Sequence, residues 1–124
     1  MAMLESGEDY IETIYKLKKV NGVVYSIDVA RALGFSRPSV SRAMSILKED
    51  GYILMDEKSK EINLTDKGKK KAADVYDRHQ TLTAFLQKTA GVSPKVAETD
   101  ACRIEHIISP STFKGIKKYM KENK

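Results

Sequence analysis

The chain has 124 residues, enough for one compact unit or for two small subdomains that share a core. Hydrophobic residues make up 41% of it, and 22 basic side chains against 17 acidic ones give a formal net charge of +5, a modest bias toward an anionic partner. A single cysteine excludes an intrachain disulfide, no apolar run approaches the ~20 residues of a membrane span and no signal peptide opens the chain, so a soluble cytoplasmic protein without membrane contact is expected.

In chain order, "SGEDYIETIYKLKKVNG" places Tyr10, Ile11, Ile14, Tyr15 and Leu17 at helical spacing, with Ser6 as cap and Gly22 as stop. After a short "VVYS", "SIDVARALGFS" predicts a second helix that turns Ile27, Val29, Ala30 and Leu33 inward and leaves through Gly34. Ser36 is a suitable N-cap for a third, in which Pro38 falls in the first turn, where no amide donor is missed. Val40, Ala43, Met44 and Leu47 form its buried stripe, and Gly51 ends it. The period then changes: Tyr52 to Met55 and Glu61 to Leu64 are short β-prone runs around a charged turn that includes Ser59, which predicts a hairpin.

From Thr65, the expected cap, a long helix runs to Gly91 with Val75, Leu82, Phe85 and Leu86 buried, and Gly68 near its start is a minor local cost. Ser93 as cap and Pro94 at the first helical position open the next helix, and "SPSTFKGIKKYMKENK" forms a last, short one with a Lys-rich end. Helix, helix, short turn, helix, hairpin is a winged helix-turn-helix. The fold class is therefore mainly α, with this unit over residues 1–71 and an all-helical dimerisation domain over 72–124.

On the third helix, the face opposite the buried stripe carries Ser36, Arg37, Pro38, Ser39, Ser41, Arg42 and Ser45. Small hydroxyl side chains let a helix sink into a major groove, and arginine reaches guanine edges. A solvated helix face with two arginines has the same composition. Lys58 and Lys60 in the hairpin, placed to follow a phosphate backbone, favour DNA. Lys67, Lys69, Lys70 and Lys71 admit two readings, a solvated helix start or further phosphate contacts.

A second constellation lies in "DACRIEHIIS". Cys102, Glu105 and His106 stand at i, i+3 and i+4 and offer a thiolate, a carboxylate and an imidazole. His79 sits on the preceding long helix, and Asp9 and Glu12 lie together on the first. Each has an ordinary explanation taken singly: a core histidine, a buried small cysteine, an acidic pair at a helix start. Taken together, both histidines and the one cysteine of the chain fall in a single set.

The chain resembles the DtxR/MntR family of metal-dependent transcriptional repressors over nearly its whole length. "EDYIETIY" resembles the family's first helix, "SRPSVSRAMSILKEDGYI" its recognition helix, "LTDKGKKKA" the start of its long helix, and "DACRIEHIIS" its most distinctive segment. The resemblance is to the short, MntR-like form without the extra SH3-like domain. It implies metal ligands at Asp9, Glu12, His79, Cys102, Glu105 and His106, with Glu98 placed to help a second ion. The family often has Glu where this chain has Thr83. Cys102 matches the DtxR branch, whereas Asp9 departs from it, so the two ligand sets are mixed.

Hard oxygen ligands suit Mn2+, while a thiolate draws the preference toward Fe2+, Co2+ or Zn2+. Mn2+ or Fe2+ is the expected cofactor, with Co2+ or Zn2+ able to substitute. The resemblance further implies a homodimer on a double-stranded DNA operator, repressing metal-homeostasis genes when loaded, with no small-molecule substrate and no enzyme activity. Two alternatives stay open: a metal-independent winged-helix regulator, and, because "CRIEH" has the spacing of an inverted zincin with Cys first, a small zinc hydrolase.

Overall fold

The computed structural model describes residues 5–124, as six helices and one two-stranded sheet among the described residues. The elements are α1 (Glu5–Asn21), α2 (Ser26–Leu33), α3 (Arg37–Glu49), β1 (Ile53–Met55), β2 (Ile62–Leu64), α4 (Asp66–Ala90), α5 (Pro94–Ile107) and α6 (Pro110–Glu122). The chain divides into two compact units, one ending at Ala73 and the other spanning Asp74–Lys124, and α4 runs unbroken through the division.

The first unit is a winged helix-turn-helix. Its core joins Ile11 and Ile14 of α1, Val29 of α2, Val40 and Met44 of α3, and Ile53 and Ile62 of the strands. Ser6, expected to cap α1, lies within the helix instead. Between α2 and α3 the chain reverses at Gly34, whose φ of +70° suits a residue without a Cβ; Gly34 and Phe35 both donate to the Ala30 carbonyl. Ser36 then caps α3, its hydroxyl accepting from the Ser39 amide, with Pro38 in the first turn. Ile27, Leu33 and Ala43, expected inward, are only partly covered, because they lie at the margin of this small core.

The hairpin is shorter by one residue per strand than its β-prone runs, pairing Ile53 with Leu64 and Met55 with Ile62. Tyr52 and Glu61 lie outside it. The Val24 carbonyl accepts from the Ile62 amide at 2.8 Å, so the short "VVYS" segment anchors the sheet from its far side. Asp56 builds the wing turn: its Oδ1 accepts from the Lys58 and Ser59 amides at 2.9 Å each, and Lys60 adopts φ +65°. Those hydrogen bonds, led by the Ser59 amide, hold the Asp56 carboxyl below its ordinary range.

α4 is clamped where it begins. Thr65 caps it as expected, its hydroxyl accepting from the Gly68 amide while donating to the Gly51 carbonyl at 2.6 Å. Gly68 is more than a local cost: a Cβ there would lie 2.1 Å from the Tyr52 carbonyl oxygen, so only glycine lets the helix approach this closely.

In the second unit Gly91 ends α4 at φ +67°. Ser93 and Ser109 cap α5 and α6, each followed by proline at the first helical position. Val75, Leu82, Ala97, Ala101 and Phe113 are buried, whereas Phe85 and Leu86, expected to be buried, are half-exposed on a face that one chain covers incompletely. Ile107 (76% exposed) and Val96 (46% exposed) leave further apolar surface open.

Candidate metal centre and DNA-reading face

Four of the sequence-selected residues meet within the second unit. Glu105 of α5 is 1% exposed, and its carboxylate lies between two imidazoles. His79 Nδ1, from α4, is 2.8 Å from Oε2, and His106 Nε2 is 3.3 Å from Oε1. His79 Nε2 faces Glu98 Oε1 of α5 at 3.8 Å, with Glu98 itself largely exposed. Cys102 stands one turn before Glu105 on α5 and is exposed. Glu105 and His106 turn their side chains inward, and Cys102, though exposed, keeps its sulfur within 4.8 Å of a Glu105 carboxylate oxygen.

Taking a carboxylate out of water costs several kcal/mol unless positive charge compensates it. Here an imidazolium proton or a metal ion can supply that charge. The donor set fits an ion: two imidazole nitrogens and carboxylate oxygens match the borderline divalent metals. Ligands at adjacent corners of an octahedral ion are about 3 Å apart, and the 2.8 and 3.3 Å separations bracket that value. The Thr83 hydroxyl is taken up within its own helix, donating to the His79 backbone carbonyl one turn earlier at 2.7 Å. Thr83 stands where the family often has a glutamate.

In the first unit, α1 carries Asp9, partly buried, and Glu12, 6% exposed. Glu12 Oε1 accepts from Lys16 Nζ at 3.2 Å, and its buried Oε2 has no hydrogen-bond partner among the described residues. A third carboxylate of α1, Glu8, pairs with Lys71 at 3.0 Å. Lys67 in turn donates to the Asp50 carbonyl. Half of the four-lysine run is thus engaged inside the unit, and Lys69 and Lys70 remain exposed.

All the residues proposed for DNA lie exposed: Ser36, Arg37, Pro38, Ser39, Ser41, Arg42 and Ser45 on or capping α3, and Lys58 and Lys60 in the wing turn. The serines are partly occupied, Ser36 with Ser39 at 2.9 Å and Ser45 with the Ser41 carbonyl at 3.2 Å. Ile46, one turn beyond Arg42, is 53% exposed and was not singled out from the sequence. Its signal was an apolar residue off the buried stripe, which suits contact with a thymine methyl. Arg78, also missed, donates from Nη1 to the carbonyls of Glu105 and Ile108 at 3.3 Å each. An arginine directly before a candidate ligand was the only clue to it.

Two family models cover almost the whole chain: the iron-dependent repressor N-terminal DNA-binding domain matches residues 2–60, and the iron-dependent repressor metal-binding and dimerisation domain matches residues 65–124. The sequence is 32% identical over 123 residues to an HTH-type transcriptional regulator of Methanocaldococcus jannaschii, covering 98% of both chains. It is 38% identical over 104 residues to the HTH-type transcriptional regulator MntR of Bacillus subtilis, covering 84% of this chain and 72% of that one. Among solved structures, the metal-dependent transcriptional regulator MtsR superposes with a TM-score of 0.85 at 27% identity. The manganese regulator SloR superposes at 0.82 and 24% identity, a likeness that bears on the fold alone. The superpositions cover 93% and 98% of this chain but only 53% and 55% of those chains, so this sequence spans about half their length.

Proposed function

The chain belongs to the iron-dependent repressor (DtxR/MntR) family of transcriptional regulators, and on that premise we propose that it is a repressor whose grip on double-stranded DNA is switched on by a divalent cation, Mn2+ or Fe2+. The observation that carries the reading is the buried Glu105 carboxylate held between His79 and His106.

In this reading residues 1–71 read the operator and residues 72–124 bind metal and dimerise. His79, Glu105 and His106 hold the ion from the helical side, with Cys102 as a thiolate ligand. Asp9 and Glu12 complete the site from α1, and Glu98 assists a second ion. Without metal, the carboxylates of Asp9, Glu12 and Glu105 repel one another and loosen the joint. A divalent ion reverses that repulsion, and its binding free energy goes into orientation rather than chemistry. In a two-fold dimer the recognition helices must stand about 34 Å apart to enter successive major grooves, and the loaded state favours that spacing. The exposed Ile107 and Val96 supply apolar surface for a second copy of the chain. Arg42 reads a base edge, Lys58 and Lys60 contact phosphates, and the regulated genes are those of metal homeostasis. The site of action proposed is the cytoplasm; among the described residues no helix is long and apolar enough to cross a membrane.

The test is operator affinity measured with Mn2+, Fe2+, Co2+ and Zn2+, each against a chelated control, on a duplex selected from a random pool. Tight binding with metal and weak binding with chelator is the expected result. Affinity indifferent to chelation would identify a metal-independent regulator.

A further inference from the structure

We propose that Arg78 is a positioning residue of the metal site: its guanidinium fixes the register between α4 and α5 at which the side chains of His79 and Glu105 meet. The inference rests on the metal-binding reading above. A helix leaves its last carbonyls without intrahelical partners. At the end of α5, Arg78 Nη1 takes up one such acceptor, the Glu105 carbonyl oxygen, together with that of Ile108, the residue that caps the helix, each 3.3 Å away.

Its Nε lies 3.5 Å from Asp74 on the preceding turn of α4, and its guanidinium carbon is 5.5 Å from the ring centroid of Phe113 on α6. Three helices of the second unit therefore converge on one side chain. The residue after Arg78 is His79, and the residue whose carbonyl it holds is Glu105. Backbone and side-chain links thus run side by side, the second being the 2.8 Å approach of His79 Nδ1 to Glu105 Oε2. Sliding α5 along α4 breaks both.

Charge and geometry make opposite demands here, and that separates this role from a general one. A fixed positive charge beside a cation site opposes cation binding, so electrostatics alone predicts tighter metal binding once the guanidinium is gone. Positioning predicts the reverse, because groups that orient metal ligands typically change affinity by about 10–100-fold when removed.

The experiment compares Arg78→Met, which keeps much of the apolar stem but removes the fork and its charge, with Val75→Ala, a lesion of the same unit's core at a residue only 1% exposed. Mn2+ and Co2+ affinities are measured by competition with a chelating indicator, with thermal unfolding of the metal-free proteins in parallel. Arg78→Met should weaken both ions by at least ~10-fold and alter the visible absorption bands of bound Co2+. Val75→Ala, although destabilised, should bind both ions nearly as the wild type does and leave the bands unchanged. Arg78→Met binding as tightly as the wild type, or tighter, would overturn the proposal, and so would an equal loss in Val75→Ala. Should Arg78→Met fail to fold, Arg78→Gln carries the same comparison. A wild-type protein that bound neither ion would overturn the metal-binding reading instead.

Discussion

Gly68→Ala sets two local effects against each other. Helix propensity favours alanine over glycine by about 1 kcal/mol, since glycine loses more backbone freedom on folding. Packing opposes it. The added Cβ would stand 2.1 Å from the Tyr52 carbonyl oxygen, well inside the 3.0 Å that real Cβ contacts respect, and the obstacle is backbone rather than a flexible side chain. That oxygen is held in place, accepting from the Thr65 amide at 3.0 Å, with the Thr65 hydroxyl, shared with the Gly51 carbonyl, 3.1 Å away. Retreat of the helix costs about 1 kcal/mol for each hydrogen bond lost, and forcing extra volume into a packed contact costs about 1–3 kcal/mol. The balance is a net destabilisation of about 1–3 kcal/mol. Urea unfolding followed by circular dichroism reads it directly, as a lower midpoint at unchanged slope. A variant as stable as the wild type, or more so, would show that α4 does not bear on Tyr52 as described.

Three other outcomes follow from the same structure. Arg42→Ala should cost about 1–3 kcal/mol of operator binding and relax preference at one base pair, whereas Lys58→Ala should weaken all sequences alike and flatten the salt dependence by about one contact; unchanged sequence preference in Arg42→Ala would remove that residue from base reading. His106→Ala should lose tight metal binding and DNA binding together, while Asp9→Ala should keep part of its metal affinity yet lose the metal-dependent gain on DNA; a full gain in Asp9→Ala would place the joint elsewhere. The Asp56 carboxyl is held below its ordinary 3.8 by the wing-turn amides, so its contribution is complete above that pH and disappears as pH falls through the lower folded value. NMR titration of its carboxyl carbon should give a midpoint under 3.8, and one at or above it would contradict the turn geometry.

The helical ends were legible because their chemistry is local. Gly22, Gly34, Gly51 and Gly91 all take positive φ, and Ser36 and Ser93 cap where their sequence context puts them. The buried stripes of α1 and α3 followed from period alone. What escaped depends on partners distant in sequence. Gly68 looks like a weak helix residue until Tyr52, sixteen positions earlier, is seen against it. The Val24 contact with Ile62 and the hold of Arg78 on Glu105 have no local signature. In the candidate site, the i, i+3, i+4 spacing brings the Cys102 sulfur within 4.8 Å of a Glu105 oxygen and sets His106 beside Glu105, but it could not tell that Glu105 is buried while Cys102 stays exposed. Phe85 and Leu86 read as core by composition, but whether an apolar face is covered depends on what packs on it, which period does not encode.

Reciprocity gives the most direct test of the central claim. If an ion at the His79, Glu105 and His106 site raises affinity for DNA, the DNA must raise affinity for the ion by the same factor. Mn2+ binding is therefore to be measured with and without a saturating selected duplex. The account predicts tighter Mn2+ binding in the presence of DNA, by the factor with which Mn2+ tightens DNA binding, and no such change in Glu105→Gln. Equal Mn2+ affinity with and without the duplex in the wild-type protein would contradict it.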